Sequence, residues 1–142
     1  MGFHWSRRRT AVTRDMDLIR LLLLKLEAFD HPPGTVYSLS GHDEEVAVEG
    51  YSADQIGYHL DLMREAGFIE CPGSQPMRGV TFSRLSWAGH DFLDSVRDPA
   101  IWVKTKTGVT AAGGFTIDLL KDLAKGLLKK QIEELTGVTL GL

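Results

Sequence analysis

The stretch from Tyr51 to Glu70, YSADQIGYHLDLMREAGFIE, constrains the fold more than any other part of the chain. Ser52 stands where a helix N-cap is needed. Gln55 follows at the spacing of a capping box, in which each side chain satisfies the other's backbone N–H. Ile56, Leu60 and Met63 recur at helical spacing and predict one apolar stripe facing a core. Gly67 falls where helices commonly end in a left-handed residue, a conformation that glycine takes without a steric penalty. Phe68-Ile69 then begins an extended run.

The flanking segments predict more helix. Thr13 is read as the cap of a helix over residues 14–29, with Asp15 and Asp17 in its first turn, where acidic groups complement the helix dipole. Met16, Ile19, Leu22, Leu23 and Leu26 form its inner stripe, and Leu18, Leu21 and Leu24 widen it. His31-Pro32-Pro33-Gly34 stops it. In residues 35–50, Val36–Leu39 and Val46–Val48 read as short strands around a turn at residues 41–45. Phe68–Cys71 and Val80–Arg84 read as two strands joined by a Gly- and Pro-containing loop. Ser86 caps a helix that is expected to bury Trp87, Phe92 and Val96. Asp98-Pro99 opens another helix, holding Ile101, Trp102 and Val103. Gly113-Gly114 marks a break. Thr116 caps a last helix with a staple between Phe115 and Leu120. Along it, Ile117, Leu120, Leu123, Ala124, Leu127, Leu128, Ile132 and Leu135 form a broad apolar face. A face this long must pack on the domain or on a second copy, so Leu120, Leu123, Leu127, Leu128 and Ile132 are the expected dimerisation residues.

Charge is unevenly placed. Residues 1–14 carry four arginines and no acid (+4), and the remainder carries 12 basic and 19 acidic residues (−7), giving −3 in all. So acidic a body is a poor electrostatic match for DNA, whose affinity comes largely from phosphate neutralisation. The basic head, with Arg7, Arg8 and Arg9, reads as a flexible extension able to serve as a nucleic-acid arm. Leu21–Leu24 lies between Arg20 and Lys25, far too short an apolar run to span a bilayer. Cys71 is the only cysteine, which fits a reducing cytoplasm.

The Ser52–Gly67 helix running into Phe68-Ile69 resembles the third helix and first wing strand of winged helix-turn-helix domains. Arg14-Asp15-Met16-Asp17-Leu18-Ile19-Arg20, Glu49-Gly50-Tyr51-Ser52, Tyr58-His59-Leu60, Glu65-Ala66-Gly67-Phe68-Ile69, residues 85–94 and Asp98-Pro99-Ala100-Ile101-Trp102 together resemble a family of small bacterial and prophage proteins. The resemblance implies no enzyme activity and no particular ligand. The resemblance covers about residues 14–135. It implies an α+β, mostly helical fold: a winged helix-turn-helix over residues 14–97, a flexible basic extension over 1–13, and a C-terminal helical extension over 98–142. A standard helix-turn-helix has a helix ahead of the recognition helix; residues 35–50 show no helical period.

Catalytic constellations are missing. His59 and Asp61 lie two residues apart on one helix and point in different directions. His31, His42, His59 and His90 have no metal-ligand spacing, and Cys71 has no second cysteine to build a zinc site. Gly113-Gly114 lacks the lysine of a phosphate loop, and Ser38 and Ser40 lie in no nucleophile elbow. No enzyme activity, metal or cofactor is expected. Binding is expected instead, through Gln55, Tyr58, His59, Leu62 and Arg64 on the central helix, Arg78 on the wing and Arg7, Arg8 and Arg9 on the head. The scaffold points to duplex DNA and a dimeric phage or prophage transcriptional regulator. The alternative is a protein-binding module that docks a host or phage protein through the acidic helix face and Tyr58.

Overall fold

The computed structural model describes residues 13–111 and 116–141. Arg7 to Arg9, the Gly113-Gly114 break and Phe115 with its staple lie outside them. The fold is α+β and mostly helical. In chain order it holds α1 (Met16–Ala28), β1 (Tyr37–Leu39), a single 3-10 turn (Glu44–Val46), α2 (Ala53–Glu65), β2 (Ile69–Glu70), β3 (Val80–Phe82), β4 (Arg84–Leu85), α3 (Trp87–Val96), α4 (Pro99–Ala111) and α5 (Ile117–Thr136). Two compact units divide the chain, Met1–His90 and Asp91–Leu142. Among the described residues no helix is long and apolar enough to cross a membrane.

In the first unit, α1 buries Met16, Leu18, Ile19, Leu22, Leu23 and Leu26. It meets α2, the 3-10 turn and β4, whose buried partners are Ile56, Leu60, Met63, Val46 and Leu85. Each such side chain contributes about 1.5–3 kcal/mol of transfer free energy, so α1 is the chief hydrophobic support of this unit.

Its cap is Asp15 rather than Thr13. Asp15 Oδ1 accepts from the N–H groups of Asp17 (2.9 Å) and Leu18 (3.3 Å). Its Oδ2 accepts from the Tyr51 hydroxyl at 2.7 Å. Its own N–H donates to His59 Nε2 at 2.8 Å, and His59 Nδ1 lies 2.7 Å from the Gln55 carbonyl. A nitrogen accepting from an amide must present its lone pair, and one facing a carbonyl must donate. His59 is therefore the Nδ1–H tautomer, and it is spent on joining the start of α1 to α2. Three of the sequence blocks noted above, around Asp15, Tyr51 and His59, meet at this point.

The strand readings change in detail. Val80–Arg84 is broken at Ser83 into two strands with different partners. β3 pairs antiparallel with β1 (Tyr37 opposite Phe82, Leu39 opposite Val80), and β4 pairs antiparallel with β2 (Ile69 opposite Leu85). Val46–Val48 is not a strand. Asp43 Oδ2 accepts from Ser40 N–H at 2.7 Å, and the carbonyls of Asp43 and Glu44 accept from Val46 and Ala47. This closes one 3-10 turn that buries Val46 alone. So short a turn has no period for sequence analysis to detect.

α2 has its full capping box, Gln55 N–H to Ser52 Oγ at 3.1 Å and Ser52 N–H to Gln55 Oε1 at 2.8 Å. It ends in a Schellman arrangement: Phe68 N–H donates to Met63 O and Gly67 N–H to Arg64 O, with Gly67 at φ 75°. α3 begins under Ser86, whose Oγ accepts from Gly89 N–H at 3.0 Å and donates to Gly67 O. Trp87 is 83% exposed, against the expectation of burial. At 100° per residue it falls on the opposite side of α3 from Gly89, Phe92, Leu93 and Val96. In the second unit, Asp98 caps α4 through Ala100 and Ile101, and Thr116 caps α5 through Leu119. These two helices pack together and bury Ile101, Trp102, Thr105, Val109, Leu120 and Ala124.

Asp15→Ala removes a cap and strands the Tyr51 hydroxyl; it is expected to destabilise the chain by about 1–3 kcal/mol in urea denaturation. Burial first, then the Asp15 hydrogen bond and the charges of Asp15 and Asp17, push the Tyr51 phenol up to about 12. A raised acid stabilises the fold below its ordinary value of 10.0 and loses that contribution as pH rises toward 12. Ultraviolet titration is expected to show a tyrosine step near 12 that Tyr51→Phe abolishes.

Candidate functional site

The solvent stripe of α2 is set by the stripe it buries. With Ile56, His59, Leu60 and Met63 turned inward, positions 54, 58, 61 and 65 lie on the opposite side at 100° per residue. A cavity of about 230 Å³ opens there, walled by Asp54, Tyr58 and Asp61 on α2, Gly41 on the turn after β1, and Arg78 and Gly79 on the loop that leads into β3. The groove thus lies between the helix that sequence analysis singled out and the loop joining β2 to β3.

Two glycines set its width. A Cβ on Gly41 would come 1.8 Å from Ala53 O, and one on Gly79 1.9 Å from Leu39 O. Gly79 also sits at φ 87°. Backbone therefore packs on backbone at both walls. The loop between them is braced internally: Gln75 Nε2 donates to Cys71 O and to Thr81 Oγ1, while Thr81 N–H donates back to Gln75 Oε1. The brace leaves Met77 and Arg78 exposed.

The expected site residues separate under this geometry. Tyr58 and Arg78 line the groove. His59 does not: it is 1% exposed, and its ring nitrogens are both engaged internally. This corrects the reading of His59 as an outward contact. The physical reason is that the N-terminus of α1 needs an acceptor at that position. Gln55 is half-buried, with its carbonyl oxygen committed to the capping box. Leu62 is half-buried on the flank of α2. Arg64 lies 3.8 Å from Asp61, so its charge is already partly answered. Arg7, Arg8 and Arg9 lie outside the described residues. Burial, with a smaller contribution from Asp61, pushes the Cys71 thiol up, while Arg64 opposes them; the resulting thiol is a poor nucleophile. Among the described residues no three His, Cys, Asp or Glu are grouped to hold a metal ion.

Residues 13–115 match the family described as "Hypothetical protein (DUF2513)". The chain belongs to this family. A Haemophilus influenzae protein titled "Uncharacterized protein" is 26% identical over 122 residues, covering 84% of this chain and 98% of that protein. No solved structure matches. The matched span contains the whole groove and the Asp15–Tyr51–His59 joint.

On α5, Leu120 is fully buried in the chain and is not available for dimerisation. Leu123, Leu127 and Leu128 are half-buried, and Ile132 is 40% exposed. The missed elements of the groove are Gly41 and Gly79. Their signal was present as glycines in turn-rich sequence, but nothing local says which backbone will approach.

Gly79→Ala is expected to cost about 1–3 kcal/mol from the backbone clash alone, with added strain from the positive φ. Urea denaturation read against Gly73→Ala separates the two effects, because Gly73 has φ 75° but open space around it.

Proposed function

We propose that this chain is a non-enzymatic winged-helix module that binds a protein partner through the groove between α2 and the wing. The order α1, 3-10 turn, α2, then β2 and β3 around the loop at 71–79 supports the winged-helix reading, with the 3-10 turn standing where a second helix is usual. The observation that carries the protein reading is the chemistry of the outer stripe of α2. Asp54, Asp61 and Glu65 flank Tyr58, and the helix's one basic residue, Arg64, is drawn to Asp61. Affinity for a phosphate backbone comes chiefly from cations at the surface; this stripe supplies carboxylates. It fits a lysine- or arginine-bearing segment, with the Tyr58 ring available to stack on it.

Two of the side chains that would read bases, His59 and Gln55, are engaged within the fold. One observation favours duplex DNA as a second reading: Arg78 is exposed on the wing beside the helix, a position from which wings reach a phosphate backbone.

Fluorescence anisotropy separates the readings. A synthetic lysine- and arginine-rich peptide is expected to bind, and to weaken about tenfold with Asp54→Asn and Asp61→Asn combined, the scale of about 1.4 kcal/mol. Random-sequence duplex DNA at about 50 mM salt is expected not to bind. Tight DNA binding whose salt slope falls by about one on Arg78→Ala would establish the second reading.

Self-association through α5 rests on Leu128, Ile132 and Leu135, the last 78% exposed. Sedimentation is expected to report a dimer that Ile132→Asp converts to a monomer.

A further inference from the structure

His31 follows α1 by three residues, and its imidazole lies among aromatic rings. It stacks on Phe29 at 5.0 Å and 27°, meets Tyr37 edge-on at 5.2 Å, and lies 5.9 Å from Phe82. Its Nδ1 is 3.0 Å from Phe29 O, and its Nε2 is 2.7 Å from Ser83 O. A backbone carbonyl can only accept. Both contacts are hydrogen bonds only if both nitrogens donate, and only the imidazolium carries two N–H groups. In the neutral ring one nitrogen lone pair faces a carbonyl lone pair at hydrogen-bond distance, which is repulsive. The stacked Phe29 face adds a surface that attracts a cation.

The two carbonyls belong to different elements. Phe29 lies at the exit of α1. Ser83 is the residue at which the chain leaves β3 and enters β4, and its N–H donates to Glu70 O at 3.0 Å, the last residue of β2 before the loop that walls the groove. We infer that His31 is a proton-operated latch: its imidazolium ties the exit of α1 to the β3–β4 corner, and loss of the proton releases one of the two ties.

The charged and titratable groups facing it are few. Asp30 adjoins it in the chain and favours the cation. Tyr37 faces it from β1. Glu70 on β2 and Arg84 on β4 border the same cavity of about 480 Å³, and they are paired with each other at 3.3 Å, so their fields largely cancel at the ring. The Phe29 carbonyl, then the Ser83 carbonyl and Asp30, raise its proton affinity above the ordinary 6.5, against a smaller opposing effect of burial. A base raised on folding stabilises the fold fully below its ordinary value and loses that contribution as pH climbs through the higher one. The latch is closed in acid and opens as the solution becomes more alkaline. This holds whether the groove takes protein or DNA.

Nitrogen-15 NMR of the full chain tests it. At pH 6, both His31 ring nitrogens are expected to be protonated, with a midpoint above 6.5. Amide exchange over residues 80–85, corrected for its intrinsic rise with pH, is expected to accelerate as His31 titrates. The acceleration is about tenfold for each unit by which the midpoint is raised. In His31→Gln that pH-dependent step is expected to vanish. A midpoint at or below 6.5, a single protonated nitrogen at pH 6, or exchange indifferent to the titration would overturn the latch. All three readings come from the unaltered chain and stand even if the variant does not fold.

Discussion

Asp15 uses both carboxylate oxygens and its own backbone N–H, and the first unit is joined through those three contacts. One oxygen closes the start of α1, the other holds the Tyr51 hydroxyl, and the N–H is taken by His59. A polar group taken from water without a partner costs about 1–3 kcal/mol. α1 buries six apolar side chains, so its N-terminus is drawn into the unit with its orphan donors attached. The joint answers those donors with side chains from α2 and the segment before it. This in turn fixes which side of α2 is inside. With His59 committed inward, Asp54, Tyr58 and Asp61 have nowhere to go but the groove.

How much was legible in the sequence follows from which interactions are local. The capping box at Ser52 and Gln55, the left-handed Gly67, the Ser86, Asp98 and Thr116 caps and the apolar stripes of α1 and α2 are all written within a few residues. They read correctly for that reason. The joint was not legible. Asp15 and Tyr51 are 36 residues apart, and Asp15 and His59 are 44 apart, so no local pattern says that they meet. Helical position alone therefore makes His59 an outward contact, although it sits at the edge of the buried stripe. Trp87 failed the other way. Its size argued for burial, but its angle on α3 decided exposure. The split of Val80–Arg84 at Ser83 depends on β1 and β2, both distant partners.

The same distinction divides the candidate site. Its floor, α2, is specified by side chains and was readable. Its walls are specified by backbone: Gly41 against Ala53 O and Gly79 against Leu39 O. Backbone contacts leave only a glycine as their trace in sequence, and a glycine is equally the mark of an ordinary turn. Of the expected contact residues, Tyr58 and Arg78 come together in the groove. They are a helix position and a wing position that only the folded chain makes neighbours.

The electrostatics then follow from the fold rather than from the net charge. The chain carries an excess of three negative charges, a small value that by itself excludes little. What matters is that folding sets Asp54 and Asp61 into one groove while drawing Arg64 onto Asp61. Arg78 is left as the groove's basic wall residue, opposite two carboxylates. A polyanion laid along α2 would meet those carboxylates along the whole helix and gain one cation at the edge. A basic segment would meet one like charge at the edge and, with Asp61 partly answered by Arg64, chiefly Asp54 and Glu65 along its length. At such an exposed surface each pairing is worth about 0.2–1 kcal/mol. The sign along the helix therefore outweighs the sign at the rim.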